Sequence, residues 1–519
     1  MGAAGQSGES YVIDQSIRFN DNDSPTLQRT FGSTGGNTWT FSCWMKRGNL
    51  GKNLGIFYAL PSVNSGIGIN PSDQIIVADD GAATYNTTAV FRDPSAWYHI
   101  VFTGNGTLNK VYVNNVLQTL SGSPNIGSGI NKAVNHKIGE GALGASNGPY
   151  MDGYLSEINF VDGTELSPTD FGETNDDGVW VPKAYAGAYG DNGFYLTGAT
   201  AADLGEDFSG NNNDFTSSGL TTADQMLDTP TNNFVTLNSL YSSISGSYPI
   251  PDLSEGNLAA STSSGANWKF VPTTIYMDSG KWYAEVRVTY SDYADSFIGF
   301  ASSEFNGQNY TPSETAFGYQ FHPTLGIRHN STQLSAQTFT QGDIIGLALN
   351  MDDNEISFYK NGILVYTATS VPAGYWGFAL TLIYTKTLYS NFGQDGTFAG
   401  GITAGGNADA NGVGDFKYTV PSGFLALCTA NLPAPTIADG SKYFQTTLYT
   451  ATGSALEVNQ IGNSTFQPDF VWVKNRTQAS GQMINDAITG PQKFLRADNT
   501  NAQTTEAQGL VSFDADGFS

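Results

Sequence analysis

The sequence predicts an all-β protein built from antiparallel β-sandwiches, with very little helix. Many segments alternate two sets of residues with a period of two; in residues 282–288, Trp282 and Ala284 share one face while Tyr283 and Glu285 share the other. Turn-forming clusters of Gly, Asn, Asp, Ser and Pro separate these segments roughly every ten residues, which is typical of sandwiches and barrels. The 61 glycines and the low share of charged residues, 13%, agree with a turn-rich β protein.

The length of the chain predicts several domains. Its 519 residues exceed what one hydrophobic core usually organises, and about 100 to 200 residues per domain gives about three or four. The expected order is an N-terminal arm at 1–10, a sandwich at 11–200, a hairpin and linker at 201–251, a second sandwich at 252–396, a Gly-rich bridge at 397–414 and a C-terminal β domain at 415–519. We expect the last domain to be incomplete, because its end reads as an unfinished strand.

Charge and cysteine usage argue against several classes of partner. The 22 basic and 47 acidic residues give a net charge of −25, which repels a phosphate backbone and argues against nucleic acid. No apolar stretch approaches the roughly 20 residues that span a bilayer, so no membrane is predicted as partner. Cys43 and Cys428 lie far apart in the sequence, which argues against a disulfide framework.

Three segments of the first sandwich carry a family resemblance. They are WYHIVF at 97–102, KVYVNN at 110–115 and DGYLSEINF at 152–160. The first two predict a hairpin, and the third a later strand. Together they resemble laminin-G-like domains of the concanavalin-A-like lectin superfamily, with Asn115 where Gly is commoner. The resemblance implies a jelly-roll sandwich with binding loops over residues 11–200.

The second sandwich carries a more specific resemblance. Its segments are GDIIGLALNMD at 342–352, EISFYKNG at 355–362 and YSNFG at 389–393. The dipeptide Asn361-Gly362 is the strongest short-range signal for a β-hairpin. This series resembles the SPRY family over residues 252–396. The resemblance implies a bent antiparallel sandwich whose loops bind partners, usually proteins, without chemistry.

The third region adds a resemblance to viral proteins. Its segment FQPDFVWVKNR at 466–476 is similar to a β domain found in structural proteins of marine tailed phages. The order of the three regions resembles tail-fibre or other virion proteins of such phages. This implies a virion structural protein on the outer surface, in a tail fibre or tail-associated appendage, with other virion subunits and a host surface glycan as partners.

The same resemblance implies a homo-oligomer with a trimer favoured, although no heptad seam is visible. Three alternatives stay open. The first is a capsid-decoration or head-fibre protein on the head surface, and the second is a secreted glycan-binding protein or glycanase. The third is a cellular SPRY-type scaffold.

The sequence predicts that the protein is not an enzyme. Some glucanases of the concanavalin-A-like fold carry their two carboxylates on one strand in the pattern E-x-D-x-x-E. Here Glu157 is followed by Asn159 and Asp162 instead, and retaining hydrolysis needs two carboxylates about 5 to 5.5 Å apart. Glu157 is therefore interpreted as a strand-face residue. The four histidines show no spacing typical of a zinc site.

Loop residues supply the predicted ligand contacts. If the protein binds a sugar, exposed aromatic rings stack on it while amides donate and accept hydrogen bonds. The alternative is that these aromatic side chains pack under the sandwich and contact no ligand. The predicted ligand-binding residues are Asn309, Tyr310, Tyr375 and Trp376.

Calcium is the only cofactor that the sequence makes plausible. Calcium binds hard oxygen ligands, which acidic loop residues provide. The predicted ligands are Asp21, Asp23, Asp207 and Asp214. The same residue types also form turns without any metal, and that alternative stays open.

Overall fold

The computed structural model describes residues 11–60, 64–80, 83–126, 129–141, 149–242, 249–263, 267–290, 296–307, 311–462 and 464–519. The chain separates into unit 1, Met1–Glu173 with Val181–Pro433, and unit 2, Thr174–Trp180 with Ala434–Ser519. The described residues form 38 strands, which confirms the all-β prediction. Their helices are short 3₁₀ turns, none long and apolar enough to cross a membrane: Asp21–Asp23, Pro168–Asp170, Thr222–Asp224, Pro312–Glu314, Thr429–Asn431 and Gly440–Lys442.

The first sandwich has two sheets. One has the order β10-β9-β8-β3-β12-β1-β17, with β15 also paired to β12, and the other has the order β16-β2-β11-β4-β5-β6-β7. The strands in this part of the chain are β1 Ser16–Phe19, β2 Thr26–Thr30, β3 Thr38–Arg47, β4 Leu54–Ala59, β5 Ser65–Ile69, β6 Ile75–Asp79, β7 Ala83–Asn86, β8 Trp97–Asn105, β9 Asn109–Val113, β10 Val116–Leu117, β11 Asn135–Ile138, β12 Gly153–Asp162, β13 Gly172–Thr174, β14 Trp180–Pro182, β15 Phe194–Leu196, β16 Thr216–Ser218 and β17 Gln225–Met226.

The core of this sandwich follows from the period of two in its central strand. Trp39, Phe41, Cys43 and Met45 alternate along β3 and all lie in one buried apolar cluster. Phe41 stacks on Phe57 of β4, with ring centroids 4.6 Å apart. Since β3 and β4 belong to different sheets, the two sheets face each other across these rings.

The second sandwich also has two sheets. One has the order β18-β19-β30-β21-β26-β27-β28, with β31 paired to β21, and the other has the order β20-β29-β22-β23-β24-β25. The strands are β18 Asp252–Ser254, β19 Ala259–Thr262, β20 Lys269–Pro272, β21 Lys281–Val288, β22 Ser296–Ser302, β23 Gly318–His322, β24 Gly326–His329, β25 Thr332–Ser335, β26 Ile344–Asn350, β27 Glu355–Lys360, β28 Ile363–Thr369, β29 Trp376–Leu382, β30 Lys386–Asn391 and β31 Leu425–Ala426.

Ring packing and turn geometry account for this second sandwich. Phe300 of β22 meets Phe358 of β27 edge to face across the two sheets, with centroids 5.5 Å apart. Asn361 and Gly362 join β27 to β28, and both have positive φ, 51° and 79°. Positive φ at both central residues is what a two-residue hairpin of type I′ requires. The predicted Asn-Gly hairpin is confirmed.

The segments predicted as linker and bridge are packed parts of unit 1. Within residues 201–251, β16 and β17 each join a sheet of the first sandwich, and Phe215 and Phe234 are buried. Within residues 397–414, the side chain of Phe398 is buried. The polar, Gly-rich composition favours turns, but a few buried rings are enough to anchor such turns to a sheet. The expectation of a hairpin with a linker and of a bridge is corrected accordingly.

Buried charges also anchor the segment between the two sandwiches. Lys46, on the outward face of β3, is fully buried and its Nζ lies 2.6 Å from Asp228 Oδ2. The same ammonium donates to Asn233 Oδ1 and to the carbonyl of Phe234, each at 2.7 Å. The segment after β17 therefore covers the outward face of this sheet and satisfies all three protons of a buried cation.

A second buried cation joins the two sandwiches directly. The guanidinium of Arg18 in β1 contacts Asp224 at 3.1 Å, Glu255 at 3.2 Å and Asp395 at 2.8 Å. Burial alone would lower the pKa of Arg18, but these carboxylates outweigh it and raise that pKa. Glu255 and Asp395 lie in the second sandwich region, so the cluster ties the two sandwiches together.

The C-terminal domain begins later than residue 415. Strand β31 pairs in parallel with β21, and unit 1 extends to Pro433. The backbone N–H groups of Lys417 and Tyr418 donate to the carboxylate of Glu285, at 2.8 and 2.9 Å. These bonds place Lys417 and Tyr418 against the outward face of β21, because Glu285 points away from the core of the sandwich.

Unit 2 contains two small sheets. A three-stranded sheet has the order β32-β38-β37 and a four-stranded sheet the order β33-β34-β35-β36. The strands are β32 Val458–Asn459, β33 Phe470–Val473, β34 Met483–Asp486, β35 Lys493–Arg496, β36 Thr504–Thr505, β37 Phe513–Asp514 and β38 Gly517–Phe518. Phe470 and Trp472 alternate along β33 and are more than half exposed, at 56% and 58%.

Candidate functional site

A bulge in β12 determines where Glu157 points. The register between β12 and β3 shifts between Ser156 and Asn159, and Glu157 has a φ of 52°. A bulge inserts one residue into a strand and redirects its side chain. Positive φ is uncommon outside glycine, and strain of this kind clusters at binding and catalytic sites. Glu157 lies in β12, as its interpretation as a strand-face residue expected, but the bulge takes its side chain out of the regular alternation.

Glu157 lines a cavity of about 210 Å³ on the first sandwich. We call this cavity the Glu157 pocket; its lining includes Tyr11, Asp14, Glu157, Tyr195 and Phe208. Tyr11 Oη donates to Glu157 Oε2 at 2.6 Å, and Tyr195 Oη lies 2.7 and 2.8 Å from the two carboxylate oxygens. The two phenol oxygens are 2.8 Å apart. A carboxylate and two phenols thus form one hydrogen-bonded group in the pocket.

Local structure holds each of these side chains in place. Tyr195 is the middle residue of β15 and pairs with Asn159 of β12, just beyond the bulge. Its backbone N–H donates to Asp207 Oδ1 at 2.8 Å. Asn159 donates from Nδ2 to the carbonyl of Glu157 at 2.9 Å, which braces the strained residue. The group is therefore preorganised by strand pairing and local hydrogen bonds.

Aromatic rings extend from the pocket. Tyr195 stacks with Tyr189 at 6.2 Å between centroids, and Tyr189 meets Tyr185 edge to face at 5.1 Å. Tyr189 Oη donates to Asn159 Oδ1 at 2.8 Å. Phe208, on the pocket lining, is 46% exposed. The pocket thus combines apolar ring surface with fixed polar groups, the combination that small-molecule sites use for affinity and orientation.

Burial governs the proton equilibria of the pocket. Burial raises the pKa of Glu157, while the hydrogen bonds from Tyr11 and Tyr195 oppose this rise. Burial, followed by the nearby charge of Glu157, raises the pKa of both Tyr11 and Tyr195. Both phenols therefore stay protonated at neutral pH, and the pocket offers hydroxyl groups and carboxylate oxygens to a polar ligand.

The carboxylate of Asp162 is held by residues outside the lining of the Glu157 pocket. Asp162 accepts hydrogen bonds from Asn131 Nδ2 at 2.6 Å and from the backbone N–H of Asn192 at 3.2 Å. Asp14, which is exposed, also lines the pocket. The strand motif considered from sequence therefore does not form a paired acid and nucleophile around the pocket.

The predicted loop contacts of the second sandwich have different environments. Tyr375 is 54% exposed and lies before β29. Trp376, the next residue, is buried, and its Nε1–H donates to the carbonyl of Pro372 at 2.9 Å. The prediction that Trp376 offers its ring to a ligand is corrected, because the ring packs against Tyr319 instead. Asn309 and Tyr310 lie outside the described residues.

Two of the predicted calcium ligands serve as turn formers. Asp207 accepts two hydrogen bonds on each carboxylate oxygen, from Tyr195, from Ser209 twice and from Asn213, all at 2.8 Å. Asp214 Oδ1 accepts from the backbone N–H of Asp207 at 2.9 Å. Because donors already occupy both oxygens of Asp207, this side chain forms a turn, and its prediction as a calcium ligand is corrected, whereas that of Asp214 stays a prediction.

The other two predicted calcium ligands, Asp21 and Asp23, follow β1. Asp23 Oδ2 accepts from Asn20 Nδ2 at 2.7 Å, and Asp21 Oδ2 pairs with Lys52 Nζ at 2.9 Å. Asp21 Oδ1 is buried and has no hydrogen-bond partner. Within the described part of the chain, no three His, Cys, Asp or Glu side chains come together as a metal site.

Two of the buried histidines and both cysteines pack inside the protein. Burial lowers the pKa of both His99 and His136 to about 3, so both rings are neutral. His99 hydrogen bonds to Ser42, and His136 stacks on Phe31 at 3.6 Å. Cys43 and Cys428 are free and buried.

Sequence reasoning missed Tyr11, Tyr195 and Phe208 as pocket residues. They come from separate segments that meet only after β15 pairs with β12. No local pattern distinguishes them from the other aromatic residues of the chain. The one signal near the pocket was the acidic strand motif at Glu157, which indicated a carboxylate but not its surroundings.

Comparisons with known families identify three regions. Residues 19–170 match the concanavalin A-like lectin/glucanases superfamily, and residues 281–395 match the SPRY domain. Residues 439–519 match a domain of unknown function (DUF7483). The protein is thus a multidomain β-sandwich protein of the kind that supplies binding modules. It contains a concanavalin A-like domain, called the lectin-fold domain below, and a SPRY domain.

Solved SPRY structures cover only part of the chain. The SPRY domain of human HERC1 is 18% identical over 26% of this chain and 87% of its own, with a TM-score of 0.23. The TRIM65 PSpry domain is 13% identical over 30% of this chain and 89% of its own, with a TM-score of 0.26. A human SPRY domain is 15% identical over 26% and 90%, with a TM-score of 0.22. No curated protein matches the chain.

Proposed function

We propose that this protein is a non-catalytic structural and binding protein of a phage virion, in a tail fibre or tail-associated appendage. In this proposal its lectin-fold domain binds a host surface glycan in the Glu157 pocket. The observation that carries the binding site is the hydrogen-bonded group of Glu157, Tyr11 and Tyr195 in a cavity with exposed aromatic surface.

The chemistry of the pocket suits a sugar. Sugar rings present apolar C–H faces, which pack on aromatic rings, and hydroxyl groups, which need fixed donors and acceptors. Phe208 offers ring surface, while Tyr11 and Glu157 offer polar atoms. The bulge and the pairing of β15 with β12 fix these groups before any ligand arrives, which lowers the entropy cost of binding.

A binding assay on the full chain tests the pocket. Purified wild-type protein is screened on an array of bacterial surface glycans, and the strongest ligand is titrated by calorimetry. Tyr195→Phe removes one hydroxyl and Glu157→Gln removes the charge, so each is expected to weaken binding by about tenfold, equivalent to about 1.4 kcal/mol. Tyr443→Phe, at an exposed position in unit 2, is the matched control and is expected to bind like the wild type.

Two results would contradict the proposal that the Glu157 pocket binds a glycan. Either the wild-type protein binds none of the glycans, or both pocket variants bind as tightly as Tyr443→Phe. Circular dichroism of each variant shows whether the fold is intact, so that a loss of binding is not mistaken for unfolding.

The virion role is supported by the order of the three regions and by the acidic surface. A net charge of −25 favours solubility, and each sandwich buries its own core, as an exposed appendage requires. Labelled antibodies on intact virions, viewed by electron microscopy, are expected to decorate the tail. Labels on lattice sites of the head would support capsid decoration instead, and no labelling of virions would overturn the role.

We also propose that the protein forms a homo-oligomer, with a trimer favoured, that associates with other virion subunits. Light scattering coupled to size-exclusion chromatography measures the mass of the full chain directly. A mass near three chains supports the proposal, while a concentration-independent single chain contradicts it.

A glycanase is the second candidate, because Asp14 and Glu157 both line the pocket. Incubation with the glycans that bind would release reducing ends if the pocket were catalytic. We expect no release. Release that Glu157→Gln and Asp14→Asn both abolish would replace the non-catalytic proposal with a glycanase.

A further inference from the structure

A buried lysine of the lectin-fold domain contacts a carboxylate and a carboxamide at the same time. Lys46 Nζ lies 2.6 Å from Asp228 Oδ2 and donates to Asn233 Oδ1 at 2.7 Å. The side chains of Lys46 and Asp228 are both completely buried. An amine that touches a carboxamide oxygen also lies beside the carbonyl carbon to which that oxygen is bonded, and this carbon is the atom that an amine attacks.

A tight turn sets the carboxylate and the carboxamide side by side. Thr229 and Asn232 exchange two backbone hydrogen bonds, each of 3.1 Å, so Asp228 and Asn233 flank the turn. Both of these side chains reach Lys46 on the outward face of β3. Lys46 and Asp228 are 182 positions apart in the sequence, so only the folded domain brings the three groups together.

Hydrogen bonds fix the orientation of both groups. Asp228 Oδ1 accepts from Trp97 Nε1 and from the N–H of Phe234, each at 3.2 Å, while Oδ2 faces the lysine. Asn233 Nδ2 donates to the carbonyl of Ser95 at 2.6 Å. Because a carbonyl only accepts hydrogen bonds, the carboxamide nitrogen must face Ser95 and its oxygen must face the lysine. The groups are therefore preorganised for a reaction between the amine and the carboxamide.

Burial favours the neutral forms of the lysine and of the carboxyl group. It lowers the pKa of Lys46 and raises the pKa of Asp228, although the charge of each residue opposes the shift of the other. A lysine in water keeps its proton at neutral pH and is a poor nucleophile, whereas a desolvated lysine is activated. Transfer of one proton from Lys46 to Asp228 gives a neutral amine and a carboxylic acid, the two species that an attack on a carboxamide uses.

We propose that Lys46 and Asn233 form an intramolecular isopeptide bond, with Asp228 as the proton carrier. Asp228 takes a proton from Nζ, and the lone pair of Nζ attacks Cγ of Asn233. Asp228 gives its proton to Nδ2 as the Cγ–Nδ2 bond breaks, and it then takes the second proton that Nζ releases. Ammonia leaves with this last proton as ammonium, and Nζ becomes an amide N–H. The reaction changes no oxidation state and needs no other reactant.

The bond would join β3 covalently to the segment after β17. The buried ion pair of Lys46 and Asp228 is the state before the reaction. Asn233 is partly exposed, which gives the ammonia a way out. A force that pulls on the two ends of the chain passes through the bond and bypasses residues 47–232. The cross-link goes beyond the proposed function, since it requires neither a glycan nor a virion.

Mass spectrometry of the full chain, incubated until its mass is constant and then denatured, tests the bond. The wild-type protein is expected to weigh less than its sequence requires by the mass of one ammonia. Trypsin does not cleave at an amidated lysine, so its digest is expected to contain a branched peptide in which Lys46 is joined to Asn233. Fragmentation of this peptide identifies the two linked residues. It also distinguishes the cross-link from a succinimide, which loses ammonia without joining two peptides.

Matched variants test the role of each group. Asn233→Ala removes the carbon that is attacked and Asp228→Ala removes the proton carrier, so both are expected to keep their full mass and give unbranched peptides. Asn232→Ala is the control in the same turn, because its carboxamide accepts from the N–H of Ala430 instead, and it is expected to lose ammonia like the wild type. Circular dichroism checks each fold. If Asp228→Ala does not fold, Asn233→Ala, at a partly exposed position, provides the independent measurement.

Two outcomes overturn the proposal. In the first, the wild-type protein has its full mass and yields the separate tryptic peptides of an unlinked chain. In the second, a branched peptide is present in folded Asn233→Ala, or the wild-type protein has lost water and Lys46 is joined to Asp228. The carboxyl group, and not the carboxamide, would then be the group that the amine attacks.

Discussion

The central strands of unit 1 and those of unit 2 obey the same alternation but differ in what covers their outward face. In β3 of the lectin-fold domain, the inward residues fill the core and the outward Lys46 is also buried, under Asp228. In β33 of unit 2, Val471 is buried while Phe470 and Trp472 are exposed. Alternation thus identifies a strand, but it does not reveal whether a second layer covers the other face.

The covering layer in unit 1 consists of the segments that look like linkers. Residues after β17 cover Lys46, and residues 416–418 cover the outward side of β21. Phe416 packs against Tyr283 of β21, and the N–H of Lys417 donates to Glu285 of β21. Buried polar groups on the outward faces need partners, and these segments supply them from side chains and from backbone N–H and C=O groups. Three substitutions, from the largest expected effect to the smallest, test this difference between the units.

The largest effect is expected at the buried ion pair of the lectin-fold domain. Lys46→Ala leaves the carboxylate of Asp228 buried without its cation, which costs about 3–5 kcal/mol in the free energy of unfolding. Chemical denaturation of the full chain measures this change. Lys493→Ala, at an exposed position on β35 of unit 2, is the matched control and is expected to change stability by less than about 0.5 kcal/mol.

A second variant separates charge from coverage. Lys46→Met combined with Asp228→Leu removes both charges and is expected to recover much of the loss, because the covering segment can then pack as an apolar layer. If Lys46→Ala alone lowers the free energy of unfolding no more than Lys493→Ala does, Lys46 and Asp228 do not form a buried ion pair under the covering segment.

A smaller, pH-dependent effect is expected in the SPRY domain. Burial raises the pKa of Glu285 to about 7, although hydrogen bonds from Lys417, Tyr418 and Tyr283 oppose this rise. The folded state therefore holds this proton more tightly than the unfolded state, whose glutamate has a pKa near 4.3. The resulting stabilisation is complete below about pH 4, falls as pH rises through 7, and is lost above it.

Glu285→Gln removes this titration. Its Tm is expected to fall less steeply than that of the wild type between pH 5 and pH 8. At pH 5 it is expected to be less stable by about 1–3 kcal/mol, because an amide nitrogen replaces one acceptor of the two backbone N–H groups. Parallel slopes for the two proteins would show that Glu285 is not the titrating group.

The smallest effect is expected on the exposed face of unit 2. Trp472→Ser removes a ring that is 58% exposed and bonded through Nε1 to Gln482 at 3.1 Å, so stability is expected to change by less than about 1 kcal/mol. Thermal unfolding of the full chain measures this change. A loss comparable to that of Lys46→Ala would mean that this ring is covered in solution, and the contrast between the units would then disappear.

Local sequence signals predicted much of the architecture and little of the site. The Asn361-Gly362 hairpin and the central strands followed from turn chemistry and period-two patterns, which act between near neighbours. Trp376 was expected on a loop surface, yet it begins β29 and is buried, because exposure depends on what packs against a residue. Asp207 likewise has a carboxylate on a polar loop, as a calcium ligand would. Only the four hydrogen bonds that it accepts show that it forms a turn.

The sequence by itself determined that the chain is all-β, contains tandem sandwiches and carries lectin-like and SPRY-like regions. These features depend on periodicity, turn residues and motifs that are continuous in the chain. The tertiary structure decided which outward faces are covered, how Glu157 meets Tyr11 and Tyr195, and how Arg18 gathers carboxylates from two sandwiches. These contacts join residues more than a hundred positions apart in several cases, and a bulge or a strand register determines them. The period-two pattern of a sequence does not determine which residues of two strands pair, since many registers satisfy the same alternation.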